Sequence, residues 1–191
     1  MISLVNDFSA VFDTCTLLPI SLCDLLLRLA EDPALYKPKW SPEILEELRR
    51  NLQGPKFNLD SAKAEYRIAC MQSAFPEALI TGYESLSESM PNDKGDRHVL
   101  AAAVYGKADA IVTLNVRHFP EECLRQFGIE RLSPDKFLTH QWHLDGDLVK
   151  NKIRSQAGEC GKNMSAHLDL LAKMVPEFAG LVRKSLGPQD L

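Results

Sequence analysis

The segment from Pro91 to Pro120, PNDKGDRHVLAAAVYGKADAIVTLNVRHFP, leaves the least room for alternative folds. It contains an acid-rich turn, a helical run, a short apolar run and a polar turn. In Asp93-Lys94-Gly95-Asp96-Arg97 two carboxylates stand three residues apart where an apolar run begins, a spacing that puts both on one side of a first helical turn. The helix dipole favours acids there in any case. From His98 to Gly106 apolar residues cover nearly every face, which predicts a helix buried on more than one side, with Gly106 as its stop. Ala108 to Thr113 reads as a central parallel strand, ending abruptly in the polar turn Leu114 to Pro120. Polar groups just past a parallel strand are where α/β folds keep their chemistry.

The rest of the chain supplies more strands and helices in alternation. Ala10-Val11-Phe12-Asp13 is an apolar run closing on one acid, read as the first strand with Asp13 at its carboxyl end. Pro19 suits a first helical turn, and Leu22, Leu25, Leu26 and Leu29 repeat at helical spacing. Residues 36–40 are short enough for a second strand. Ser41-Pro42-Glu43 opens a helix to about Leu52, with Ile44, Leu45, Leu48 and Leu52 as its apolar stripe. After the break at Gly54-Pro55, Asn58 or Asp60 caps a helix through Ala74, and residues 78–81 read as a weak strand. Glu121 to Phe127 reads as helix, Ile129 to Leu132 as an edge strand, and Ser133-Pro134-Asp135 as another helix opening. Beyond His140 only helical patterns remain. The expectation is an α/β fold with a central parallel sheet over residues 10–138, followed by a helical annex.

The totals narrow the function. A chain of 191 residues with 45% apolar composition can bury a full core. No apolar run approaches the roughly 18 residues of a membrane span, and the N-terminus MISLVNDFSAV lacks a basic leader followed by an apolar stretch, so the expectation is a cytoplasmic protein with no membrane partner. Five scattered cysteines without a C-x-x-C pair fit reduced thiols rather than a zinc site. A net charge of −4 excludes holding nucleic acid by bulk charge, so any such contact has to be local.

Asp13 and Asp96 can meet at the carboxyl edge of the sheet. Acids gathered there would repel one another and raise each other's pKa, which predicts a bound cation. Oxygen ligands favour Mg²⁺ or Mn²⁺, and such an ion can polarise a phosphodiester and lower the pKa of a water. Taken singly, Asp93 and Asp96 read equally well as helix-opening residues, Asp13 as a turn former, and Glu46 or Glu47 as solvated charge. Arg49 and Arg50 read as partners of Glu46 and Glu47, and Thr14 and Thr113 as plain turn residues or as hydroxyls that fix Asp13 or a water. His140 and His143 lack a third ligand nearby in sequence.

Taken in order, four motifs resemble the PIN domains, named for the PilT N-terminus, and within them the VapC-like bacterial branch. They are Val11-Phe12-Asp13-Thr14, Trp40 to Leu48, Asp93 to His98, and Ile111-Val112-Thr113-Leu114-Asn115. The resemblance covers residues 10 to about 138 and implies a three-layer α/β/α sandwich, so residues 1–139 are expected to form that domain and the helical annex, residues 140–191, its extension. It implies a metal-dependent nuclease, commonly an endoribonuclease and often the toxin of a toxin–antitoxin pair, with a homodimer suggested. Carried over, the metal-binding acids are Asp13, Glu47 and Asp96 with Asp93 as accessory, and Asn115 completes the catalytic set. Glu47 matches rather than Glu46 because the family's acid directly precedes the leucine of that helix.

The fourth acidic position departs from the pattern. Many members carry Asp at Asn115, and those with Asn there commonly carry Asp where this chain has His118. Asn115 keeps a neutral oxygen, and His118 could donate to a phosphate or favour Mn²⁺ over Mg²⁺. The expected substrate is RNA, single-stranded or in structured loops, met by Arg97, Arg117, His118, Thr14 and Thr113, then Lys94, Arg49 and Arg50. The rival from another class is a PIN fold with an incomplete catalytic set, serving as a binding scaffold. Phosphoryl-transfer domains of the haloacid dehalogenase or receiver type also place an Asp after the first strand, but the second acid of the former falls at Cys15, and the receiver's acid pair and lysine are not evident. The apolar series Leu168, Leu171, Met174, Phe178 and Leu181 reads as packing, or as a dimer or antitoxin contact.

Overall fold

The computed structural model describes residues 7–187; the start of the segment read for a leader lies outside them. The strands are β1 (Ser9–Phe12), β2 (Lys37–Lys39), β3 (Ala110–Val112) and β4 (Glu130–Leu132). The helices before β3 are α1 (Thr14–Leu17), α2 (Ile20–Ala30), α3 (Pro42–Gln53), α4 (Ser61–Ala74), α5 (Glu84–Ser87) and α6 (Arg97–Tyr105). Those after it are α7 (Glu121–Arg125), α8 (Pro134–Leu144), α9 (Gly146–Glu159), α10 (Met164–Leu171) and α11 (Pro176–Lys184). The chain packs as two compact units, one of residues 7–18 and 37–131, the other of residues 19–36 and 132 onward.

In the first unit the sheet runs in the order β2-β1-β3-β4. Both ladders of β1 are parallel, pairing Val11 with Lys39 on one side and with Ile111 on the other. Every residue of β1 and β3 is buried, which accounts for their unbroken apolar sequences. Pro38, without an N–H to donate, is tolerated because β2 lies at the edge. The chain leaves β1 toward β2 and later returns on the opposite side of β1 as β3. Their carboxyl ends therefore open a crevice where the strand order switches, the usual site of ligands in such sheets.

Helix chemistry follows the sequence closely. Ser41 caps α3 by accepting from Ile44 N, and Asp60 rather than Asn58 caps α4 by accepting from Lys63 N. Six consecutive residues of α6, His98 to Ala103, are buried, as a helix apolar on nearly all faces requires. At Gly106 a Cβ would lie 2.5 Å from Ile80 Cδ1 and 3.0 Å from Ala102 O, so close approach, not turn conformation, favours glycine. Two expectations need correction. Residues 78–81 form no strand: they follow a 3-10 turn at Pro76–Ala78, and pairing is limited to one bridge between Leu79 and Trp40. Asp93 and Asp96 do not sit in the first turn of α6 either. They bound a 3-10 turn, Lys94–Asp96, that precedes it, because Asp93 accepts from Gly95 N and tightens the chain there.

The second unit gathers α2 with α8 to α11. Leu25, Leu26, Phe137, Leu168, Leu171 and Phe178 are fully buried in it, so most of the stripe in the last two helices covers this unit's own core. Tyr36 packs edge-on against Phe137 at 4.7 Å and donates its hydroxyl to the Leu26 carbonyl. Among the described residues no helix is long and apolar enough to cross a membrane.

Candidate active site

The β1 and β3 registers set the first group of side chains. Phe12 pairs with Val112, and Asp13 N donates to Val112 O at 3.1 Å, so the residues that follow both strands lie side by side. Asp13 is 2% exposed, and its Oδ2 accepts from Thr113 Oγ1 at 2.6 Å, Cys15 Sγ at 3.0 Å and Asn115 Nδ2 at 3.4 Å. Thr113 Oγ1 in turn accepts from Asn115 N at 2.9 Å. The Cys15 thiol is pushed up to about 12, chiefly by burial and then by the Asp13 carboxylate. It therefore stays protonated and acts as a donor, a role beyond the reduced thiol read from the sequence.

The second group stands on the two 3-10 turns. His118, at the end of the turn Val116–His118, has Nδ1 2.6 Å from Asp96 Oδ2, and His118 O accepts from Asp93 N at 3.3 Å. Asp93, Asp96 and His118 each offer a ligand atom, and all three atoms lie within 4.8 Å of one another. The Asp96 carboxyl is held above the ordinary carboxylate range, first by burial. The His118 hydrogen bond opposes this, and the charges of Asp13 and Asp93 add to it. Asp13, Asp93 and Asp96 thus share one field, and a cation would relieve it. Two carboxylates and an imidazole fit a divalent ion, with the imidazole better suited to Mn²⁺ than to Mg²⁺.

Glu47 on α3 forms the third group. Its Oε2 accepts from Thr14 Oγ1 at 2.8 Å and lies 3.7 Å from His98 Nε2. Thr14 therefore steadies Glu47, whereas Thr113 steadies Asp13. Glu46 faces away into a two-bond pair with Arg49, so Glu47 is the acid of this helix turned toward Thr14. Arg50 is exposed and lines a cleft of about 510 Å³ with Glu43, Glu47, Gly95 and His98. Arg117 and Lys94 are exposed, while Arg97 folds back to donate to Glu88 O at 3.4 Å.

Residues 9–117, more than half of the chain, match the PIN domain family. The chain belongs to that family. Over 110 residues it is also 39% identical to the "Putative ribonuclease VapC50" of Mycobacterium tuberculosis, an alignment spanning 56% of this chain and 65% of that protein. The chain thus covers slightly less than two thirds of this relative's length.

Two members of this PIN site escaped sequence reading. Arg131 donates to Val116 O at 3.1 Å and Phe119 O at 2.7 Å, anchoring the turn that carries His118. Nothing in its local sequence signals this. His98, 9% exposed and wedged between Glu43 and Glu47, was legible as the polar side chain that heads the apolar run Val99 to Val104 of α6.

Proposed function

We propose that this PIN domain is a divalent-metal-dependent endoribonuclease that hydrolyses RNA phosphodiester bonds, as a VapC-like toxin of a toxin–antitoxin pair. The observation that carries the reading is the meeting of Asp93, Asp96 and His118 within 4.8 Å, in the field of Asp13, at the strand-order switch of a PIN fold. Asp13, Glu47, Asp96 and Asp93 hold the cation, Mg²⁺ or Mn²⁺, and the His118 imidazole favours Mn²⁺. When bound, such an ion would supply the charge that polarises a phosphodiester and lowers the pKa of a water. The chain does the rest. Thr113, Cys15 and Asn115 orient Asp13, Thr14 orients Glu47, and His118 anchors Asp96. Arg117 and Arg97 supply positive charge for the phosphates, and His118 a hydrogen-bond donor.

RNA as substrate rests on the family and on the ribonuclease named among its relatives. An antitoxin partner, a homodimer and a cytoplasmic setting belong to the same reading, with residues 1–139 as the nuclease domain and 140–191 as its extension. A second reading, a weakened scaffold, is favoured by Asn115, whose neutral amide donates to Asp13 where many members hold an acid.

The test is cleavage of a mixed RNA pool by purified protein in EDTA, Mg²⁺ or Mn²⁺, beside Asp13→Asn and Asp96→Asn. Cutting that needs metal and vanishes in both variants is expected. Equal inactivity of all three proteins, with no Asp13-dependent metal binding by calorimetry, selects the scaffold.

A further inference from the structure

His98 has no part in the reading above, yet its surroundings are unusual. The ring is nine-tenths buried in the first turn of α6, and Nε2 is shielded from solvent without a hydrogen-bond partner. Leaving such a group unpaired is costly, so a nearby acceptor within a small rotation is significant. That acceptor is Glu47 Oε2 at 3.7 Å, just beyond hydrogen-bond length, already held from its other side by Thr14. On the opposite edge of the ring, Nδ1 lies 3.9 Å from Glu43 Oε1, and Tyr83 donates to the other oxygen of Glu43 at 3.5 Å. Tyr83, Glu43, His98, Glu47 and Thr14 thus form one row of polar side chains, of which Glu43, His98 and Glu47 line the cleft.

We propose that His98 is a positioning residue for Glu47. Its Nε2 closes on Glu47 Oε2 when the acid site is loaded, pinning that oxygen between His98 and Thr14 and presenting Oε1 to the cation. The inference rests on Glu47 being a metal ligand, as proposed above. Hydrogen-bond partners of a ligating carboxylate typically change metal affinity by about 10- to 100-fold.

Mn²⁺ titration of the full chain by calorimetry, with a thermal melt of each apo variant, tests this in one series. Glu47→Gln should weaken Mn²⁺ binding. His98→Leu should weaken it by about tenfold. His98→Gln, whose amide can reach the place of Nε2, should recover most of the loss, and His98→Leu made in a Thr14→Val background should cost less than alone, because both donors serve one oxygen. If His98→Leu loses its melting transition, His98→Asn, too short to reach Glu47, replaces it. Weakening by Glu47→Gln but not by His98→Leu, or no rescue by Gln, overturns the positioning role. An unchanged affinity in Glu47→Gln removes Glu47 from the ligands and the proposal with it.

Discussion

Two polar clusters in this protein use the same residue types to opposite ends. In the helical unit, Asp24 accepts from Arg28 Nε and Gln156 Nε2, both at 2.8 Å, Arg28 makes a two-bond pair with Glu159, and Gln156 Oε1 meets His167 Nε2 at 2.7 Å. Each acid there has a cation or an amide. Among the described residues, Asp13 at the sheet's carboxyl edge has only hydroxyl, thiol and amide donors, and Asp96 has only a histidine against the charges of two other acids. A satisfied network stabilises packing, while an acid cluster short of positive charge spends stability to hold a cation. The comparison separates residues that keep the fold from residues assigned to the proposed chemistry.

Exchanging damage between the clusters is the strongest way to break this contrast. Asp13→Asn should lower metal-dependent cleavage by more than about a hundredfold, the scale of losing a group that stabilises reaction charge, while its melting temperature stays near wild type. Gln156→Leu should do the reverse: Gln156 is 1% exposed in the native protein, and its loss strands His167 Nε2 and takes one of two donors from Asp24, at about 1–3 kcal/mol in chemical denaturation, with activity of the folded fraction kept. A destabilised but active Asp13→Asn would erase the distinction.

Acidification should sharpen it, because the two titrating groups carry opposite signs. His167 is held below its ordinary 6.5, chiefly by burial, so its contribution is complete above that value and lost as pH falls below it. Asp96 is held above its ordinary 3.8, so its ionised form costs stability at neutral pH, and that cost is relieved as pH falls through its raised pKa toward 3.8. In apo-protein melts, His167→Gln should flatten the decline below pH 6.5 and Asp96→Asn should remove the opposing gain.

The smallest effect concerns charge. Arg117→Ala should weaken RNA binding modestly and lower the slope of log affinity against log salt by about 1, whereas Arg49→Ala, whose guanidinium is engaged by Glu46, should leave the slope unchanged.

The elements were legible where local chemistry decides them. Buried parallel strands give unbroken apolar runs at 10–12 and 110–112, and Ser41, Asp60 and Ser133 announce their helices by capping. Residues 78–81 misled because an apolar run becomes a strand only if a neighbour offers a full ladder, and Trp40 offers one bridge. Within the site, Asp13 and Asp96 were legible as acids at the carboxyl edge of the sheet, whereas Glu47 was named through the resemblance to PIN domains.

Which donor meets which acid was not legible. Thr14 and Thr113 are equivalent as strand-end hydroxyls, yet one steadies Glu47 and the other Asp13. His118 meeting Asp96, Cys15 meeting Asp13, and His98 lying between two glutamates span 2 to 55 positions along the chain. The sequence by itself determined the types of groups and the ends of elements that carry them, because periodicity and capping act within a few residues. Tertiary structure alone decided their pairing, because hydrogen bonds depend on angstrom-scale distances between elements set by strand register and helix packing.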